Sequence, residues 1–505
     1  MRTQTVYLLV RVCYHSADKP LSEVGGTKMK NGSRREFVKT AAATAAAVAF
    51  TSRTPTWALD TRSSVKVWGT FRDQRHAPLA PLEWKKPSQV AADAIQLDTP
   101  ATRQEILGFG AAITEASAYL LSRLTDGERA PVMHDLFAPE AMALNVCRTC
   151  IGASDYATKV YSYDESSEPD PELKKFSIDH DREFYLPILQ EARKANPEMF
   201  LFSSPWSPPA WMKPNNSMLG GAMRKQSFDP YARYFVKFLE AYKAAGVDIN
   251  AVTVQNETDA EQEGHMPACL WAQEQEMEFA AKFLSPAIRK AGFDTKIWIL
   301  DHNYSLWGRA IDELSDPSVY AAVDGIAWHG YVGEPSAMTR VHEAFPEKNA
   351  YWTEGGPDIS QPDYQTDYTK WADQFNGILN NWARSITSWN VVLDEKGRPD
   401  IGPFSCGGVI TIDNASHKVT RSGQYWAFAH YSQHVKRGAR VFATNALGDT
   451  GTGSPISHTG FRNPDGSYVV VLANKGAERQ VQLLMGQQAL TIDLPADSVQ
   501  TLQWA

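Results

Sequence analysis

Eight short apolar runs, each followed by a stretch of helical period and flanked by strand-like bookends, predict an α/β fold. The expected architecture is a (β/α)8 TIM barrel with a side β-sandwich built from N- and C-terminal strands. The runs are ILGFGAAIT from 106, LNVCRTCIGASD from 144, MFLFSSPW from 199 and INAVTVQNE from 249. They continue with KIWILDHN from 296, GIAWHGY from 325, AYWTE from 350 and SITSWN from 385. Between them, YARYFVKFLEAYKAAG sets Tyr231, Phe235, Phe238, Leu239 and Tyr242 on one helical face and stops at Gly246. QEMEFAAKFLSPAIRKAG repeats the pattern with Met277, Ala281, Leu284 and Ile288 before Gly292.

The bookends have a different period. VKVWGTFRD (65–73) and AIQLDTP (94–100) read as antiparallel strands ahead of the barrel. Behind it, Asn463-Pro464-Asp465-Gly466 reads as a hairpin turn, and VQLLM, LTIDL and SVQTLQW follow as further strands. The expected layout is a signal region over 1–58, N-terminal sandwich strands over 59–103, the barrel over 104–432 and a C-terminal sandwich domain over 433–505.

The signal region rests on SRREFVKTAAATAAAVAF (33–50), where Arg34 and Arg35 precede a short Ala-rich apolar run. This is the pattern of a twin-arginine export signal, too short and too Ala-rich for a stable membrane span, and it places the chain in the periplasm or outside the cell. Residues 1–58 carry nine Lys/Arg against three Asp/Glu, so the −8 of the whole chain becomes −14 without them. Such an acidic surface argues against nucleic acid and anionic membranes as partners and suits a neutral ligand. Of the five cysteines, Cys147 and Cys150 form a C-x-x-C inside a strand-like run, which points them to opposite faces. They read as buried free thiols and not as a metal or redox pair.

Chemistry in such a barrel sits at the C-terminal ends of the strands. Read there, strand 4 ends Gln255-Asn256-Glu257 and strand 7 ends Trp352-Thr353-Glu354, while strand 2 closes on Asp155, strand 3 on Trp206, strand 6 on His329 and Tyr331, and strand 8 on Trp389. Two glutamates closing strands on nearly opposite sides of one ring are what glycoside hydrolysis requires, one as acid/base and one as nucleophile. The charge of Glu354 is expected to raise the pKa of Glu257. Glu115 reads as a helix-capping carboxylate. Asp301-His302, closing strand 5, has metal-ligand chemistry but lacks further ligands nearby in sequence, which favours a hydrogen-bonding role.

At these motifs the sequence resembles glycoside hydrolase family 30, which includes acid β-glucosidase (glucosylceramidase). The resemblance is carried by GFGAAITEA, SPWSPPAWMK, ARYFVKFLEAY, AVTVQNE, GIAWHGY, YWTEGG and SWN. It implies a retaining β-glycosidase with Glu257 as acid/base and Glu354 as nucleophile, needing neither metal nor organic cofactor. It further implies that Asp155, Trp206, Asn256 and Trp389 contact the sugar, that His329 and Tyr331 orient the carboxylates, and that Arg148 lies near the nucleophile. The sequence departs from the family pattern at Thr258, Gly330, Ser388 and the stretch GRPDIGPFSCGG (397–408), and these departures bear on the substrate. The primary expectation is a β-D-glucoside in the manner of glucosylceramidase. The alternatives are a β-1,6-glucanase, β-xylosidase or β-fucosidase, or, from another class, a non-catalytic carbohydrate-binding protein.

Overall fold

A computed structural model describes residues 64–448 and 456–505. The twin-arginine segment falls outside the described residues. Eight parallel strands form one sheet: β1 (Gly108–Ala111), β2 (Val146–Cys150), β3 (Phe200–Ser204), β4 (Ala251–Thr253), β5 (Lys296–Asn303), β6 (Gly325–His329), β7 (Asn349–Glu354) and β8 (Ala383–Ser388). Each pairs in parallel with its neighbours in chain order, and β8 returns to β1. The ring closes between β1 and β2 through Asn145 N–H to Phe109 O (2.7 Å) and Ile113 N–H to Arg148 O (2.9 Å). Closure needs Gly110, because a Cβ there would lie 2.0 Å from the carbonyl oxygen of Val146.

The interior of the ring is layered. Near the N-terminal ends, Val146, Phe202, Ala251, Trp298, Ala327 and Tyr351 form one apolar cluster, with Trp298 stacked on Tyr351 at 4.0 Å. Two residues further along five of those strands come Arg148, Ser204, Thr253, His329 and Thr353, all buried and all polar. A period of two keeps them facing inward, so the barrel fills its lower half with hydrocarbon and its upper half with hydrogen-bonding groups. On the outside of the strands, Cys147 joins the large core beneath the helices, whereas Cys150 packs with Trp206 and Trp389. The two thiols therefore do face opposite ways, and all four described cysteines are free.

The helix Phe228–Ala244 buries the expected face, and Gly246 ends it at φ +79°. The next helical stretch differs from the expected pattern. A π turn over Ala280–Leu284 interrupts it between the helices Gln273–Phe279 and Ser285–Lys290. The extra residue in that turn rotates the apolar stripe, so Phe279 and Ala280 are buried where Met277 and Ala281 were expected.

The bookends pair into one nine-stranded sheet. It takes Ser64–Phe71, Gln74–Glu83 and Ile95–Glu105 from the N-terminal side and six strands from Arg440–Ala446 to Ser498–Trp504. Lys85 and Ala489 exchange N–H···O bonds of 2.9 and 2.8 Å, which brings the two ends of the sheet together around a core that includes Trp84, Leu483, Leu502 and Trp504. The turn at 463–466 joins the antiparallel strands Ile456–Arg462 and Tyr468–Asn474 as the sequence indicates. Gln74–Glu83 gives no strand signal because Pro78 and Pro81 interrupt it. After β8 comes a small sheet of Val392–Asp394, Ile410–Ile412 and Val419–Arg421, also unforeseen.

Candidate active site

The polar layer converges on Asp301. Its carboxylate accepts hydrogen bonds from Arg148 (2.7 Å), Ser204 (2.8 Å), Thr253 (2.7 Å), Thr353 (2.8 Å) and His329 (3.0 Å), five donors from five strands. Burial alone would favour the neutral acid, but the Arg148 charge and the His329 and Thr253 hydrogen bonds hold it far below the usual carboxylate range. A bulge in β5 makes this possible. Leu300 and Asp301 take positive φ (+70° and +44°), and the register with β6 slips between Leu300 and His302. The bulge turns Asp301, three residues after Trp298, into the barrel. Glu276 supports it, accepting the Leu300 N–H at 2.9 Å.

Around that hub stand the two glutamates. Glu354 is ion-paired to Arg148 and accepts a hydrogen bond from the Tyr331 hydroxyl at 3.1 Å. Glu257 follows β4 at φ +55°, a left-handed conformation uncommon for a side chain of this size, and its N–H is tied to Asp301 O at 3.0 Å. One imidazole touches both: His329 Nδ1 lies 3.3 Å from Glu257 Oε1, and its Nε2 lies 3.7 Å from Glu354 Oε2. His302 Nδ1 lies 3.6 Å from the same Glu257 oxygen. Asn256 accepts from Arg148 at 2.7 Å, which leaves its NH2 toward the cavity. Gln255 has a purely structural task, donating to Trp206 O at 2.6 Å and accepting from the Trp271 indole at 3.2 Å.

These groups open into a cavity of about 480 Å3. Trp206 and Trp389 stack at 5.0 Å along one wall, and Arg148 lies 4.6 Å from the Trp206 ring centroid. Buried Asp155 also lines the cavity. Its Oδ1 is buried with no hydrogen-bond partner, and burial together with the charges of Glu354 and Glu257 raises its pKa well above the usual range. A buried acid of this kind is suited to exchange hydrogen bonds with a hydroxylated ligand. The rim carries exposed Tyr331, Val332 and Phe404.

The glycosyl hydrolase family 30 TIM-barrel domain matches residues 106–435, and the glycosyl hydrolase family 30 beta sandwich domain matches residues 438–502. The chain belongs to glycosyl hydrolase family 30. An endo-1,6-beta-D-glucanase of Neurospora crassa is 33% identical over 398 residues, which cover 75% of this chain and 80% of that protein. The lysosomal acid glucosylceramidase of Mus musculus is 28% identical over 397 residues, covering 74% and 76%. Among solved structures, an endo-β1,6-glucanase superposes with a TM-score of 0.78 at 27% identity, covering 88% of this chain and 99% of that one. The SrfJ protein of Salmonella typhimurium superposes at 0.83 with 26% identity, covering 87% and 99%. The chain is thus a family 30 glycoside hydrolase, a member of a glycosidase family that acts on carbohydrate.

All nine residues expected at the site, Arg148, Asp155, Trp206, Asn256, Glu257, His329, Tyr331, Glu354 and Trp389, meet in or directly beneath this one cavity. Glu115 does not. It caps Thr158 (2.7 Å to N, 2.6 Å to Oγ1) and meets His180 at 3.0 Å. One expectation is reversed. The pKa of Glu257 is lowered, not raised: burial and the charge of Asp301 disfavour its ionised form, but the His329 hydrogen bond and the charges of His329 and His302 outweigh both. The sequence reading also missed five contributors. Ser204, Thr253 and Thr353 carried a signal, a hydroxyl at the end of an apolar strand on its inward face. Phe404 and Cys406 reach the cavity on the long loop after β8, where no period exists to read.

Proposed function

We propose that the protein is a retaining endo-acting hydrolase of β-1,6-linked glucan, with Glu354 as nucleophile and Glu257 as acid/base. The observation that carries this reading is the cavity itself. Buried Asp155 and the Trp206–Trp389 wall can seat one sugar, and the exposed edge at Tyr331, Val332 and Phe404 leaves room for the chain to continue. The similarity to endo-1,6-β-glucanases supports the choice of linkage. Retention requires the two carboxyl groups to lie about 5–5.5 Å apart, and the anomeric configuration of the first released product checks it.

In this reading Arg148 and the Tyr331 hydroxyl hold Glu354 in place and aim it at the anomeric carbon. Asp301 fixes the proton of His329 on Nε2, so His329 Nδ1 and Glu257 share one further proton. Glu257 donates that proton to the departing glycosidic oxygen. When the glycosyl ester forms on Glu354, Glu257 turns base and activates water. His329 is the proton's reservoir: burial opposes its charge, but Glu354, Asp301 and Glu257 raise its pKa to about 9. A second reading, cleavage of β-glucosides with an apolar aglycone, is favoured by Val332 and Phe404 on the rim. Export by the twin-arginine route accompanies either reading, because an extracellular polymer or lipid must be met outside the cytoplasm.

The test is a hydrolysis screen on a β-1,6-linked glucan, glucosylceramide, and the 4-nitrophenyl β-D-glucoside, xyloside and fucoside, with Glu354→Gln as the blank. Oligosaccharides of mixed length from the glucan are expected. Release of glucose from the lipid or the small glucoside alone would replace the endo reading with the second one. Binding to glucan with no cleavage of anything would leave a carbohydrate-binding protein.

A further inference from the structure

We propose that Glu257, His302 and His329 form a binding site for a divalent transition-metal ion, Zn2+ or a first-row neighbour, which switches the enzyme off reversibly. The two imidazoles come from adjacent strands and flank a single oxygen. His329 Nδ1 lies 3.3 Å and His302 Nδ1 3.6 Å from Glu257 Oε1, and the three donor atoms all fall within 4.8 Å of one another. A tetrahedral zinc with bonds of about 2.0–2.1 Å separates neighbouring ligand atoms by about 3.3 Å. Both carboxylate-to-imidazole edges of such a site are therefore already close to length.

The supporting hydrogen bonds match as well. A ligating imidazole characteristically has its far nitrogen held by a carboxylate, which fixes the tautomer and aims the lone pair. Here this occurs twice: His329 Nε2 is bonded to Asp301 at 3.0 Å, and His302 Nε2 is paired with Asp259. Asn303 Nδ2 lies 3.3 Å from His302 Nδ1, a contact that a metal on that nitrogen would displace. Four carboxylates, Glu257, Asp259, Asp301 and Glu354, stand around the site against two guanidinium groups, Arg148 beside Asp301 and Glu354 and Arg309 acting on Asp259, a field that draws in a cation. The fourth coordination position faces the cavity, which His302 also lines. Proton transfer in the glycosidase reading needs only His329. The His302–Asp259 pair takes no part in that transfer, and metal binding gives it a ligating task.

The ion replaces the proton shared by Glu257 and His329, so binding releases a proton and tightens as pH rises. It also removes the general acid. That last consequence rests on the proposed glycosidase reading, whereas binding itself does not. The experiment is a titration of the full chain in metal-free buffer with Zn2+ by calorimetry and with Co2+ by visible absorption, at about pH 6 and about pH 8. The expected result is one equivalent bound, at least tenfold weaker at the lower pH, with a Co2+ spectrum of nitrogen and oxygen ligands and no thiolate band. His302→Asn should weaken binding by about tenfold or more, and Asp259→Asn by about tenfold. Cys406→Ser should leave it unchanged. Circular dichroism establishes that each variant is folded, and Asp259→Asn carries the test if His302→Asn is not. In parallel, Zn2+ should suppress hydrolysis by the wild type, EDTA should restore it, and the fractional suppression should shrink in both variants. The proposal is overturned by binding that survives both His302→Asn and Asp259→Asn, by binding that depends on Cys406, or by no binding at millimolar Zn2+. A protein that binds Zn2+ through His302 yet cleaves no glycoside would sink the proposed function and leave the metal site standing.

Discussion

Two layers of the same barrel, one pleat apart, do opposite work. In the lower layer Phe202, Trp298 and Tyr351 are held mainly by contact and area, with the Tyr351 hydroxyl and the Trp298 indole donating to Asp324 at the edge, and at Phe202 a residue of similar volume can substitute at modest cost. In the upper layer every group depends on a named partner. Arg148 and Asp301 are fully buried ions compensated by each other, by Glu354 and His329, and by the hydroxyls and the Asn256 amide around them. The difference teaches where stability and chemistry separate: packing makes the lower layer tolerant, and desolvated charge makes the upper layer brittle and reactive.

The largest expected effect lies in the upper layer. Glu257→Ala should slow cleavage of poor leaving groups by about 10²–10⁴-fold while sparing glycosylation by activated 4-nitrophenyl glycosides, with azide rescuing the slowed second step as a β-glycosyl azide. Recovery of an α-azide would reverse the assigned geometry. Next comes Asp301→Ala, which strands Arg148 and should cost about 3–5 kcal/mol in chemical denaturation together with all activity. Phe202→Ala in the lower layer should cost a similar 3–5 kcal/mol, yet the folded fraction should keep its kcat. If it loses kcat in proportion, the two layers are not separable. Thr353→Val removes one of the five hydrogen bonds to Asp301, worth about 1 kcal/mol of stability, and the same variant should lower kcat through a tilted His329.

Two pH profiles sharpen the contrast. With His329 raised to about 9, the Glu257–His329 pair keeps its proton below that pH, so turnover of poor leaving groups should fall as pH rises through about 9. Glu257→Ala acting on an activated glycoside should lack that limb. The seam between sandwich and barrel behaves in the opposite sense. Burial lowers His76 to about 3, His434 to about 4 and His430 far below its usual range, the neighbouring histidines or Lys436 adding to the effect. The unfolded chain takes up these protons near pH 6.5 and the folded one does not, so this contribution to stability is complete above pH 6.5 and is lost as pH falls from there. A thermal melt series across that range, compared with His434→Gln, checks it; the variant should melt with a flatter acid limb.

The barrel was legible because each strand advertises itself over a few residues. A buried parallel strand is a short apolar run, its C-terminal end is where polarity returns, and reading the last residue of each run led to Glu257 and Glu354. The pKa of Glu257 was not legible, because its direction depends on two histidines from other strands, 45 and 72 positions along the chain.

What the sequence by itself determined is the set of elements, their order and the chemical types waiting at the strand ends, since these follow from periods of two and 3.6 within short windows. Only the tertiary structure decided that Asp301 faces inward on a bulge, that Phe404 arrives at the rim from a loop, and that His302 and His329 converge on one oxygen of Glu257. Those outcomes depend on a one-residue slip in register and on distances between strands far apart in the chain, and local side-chain pattern carries neither.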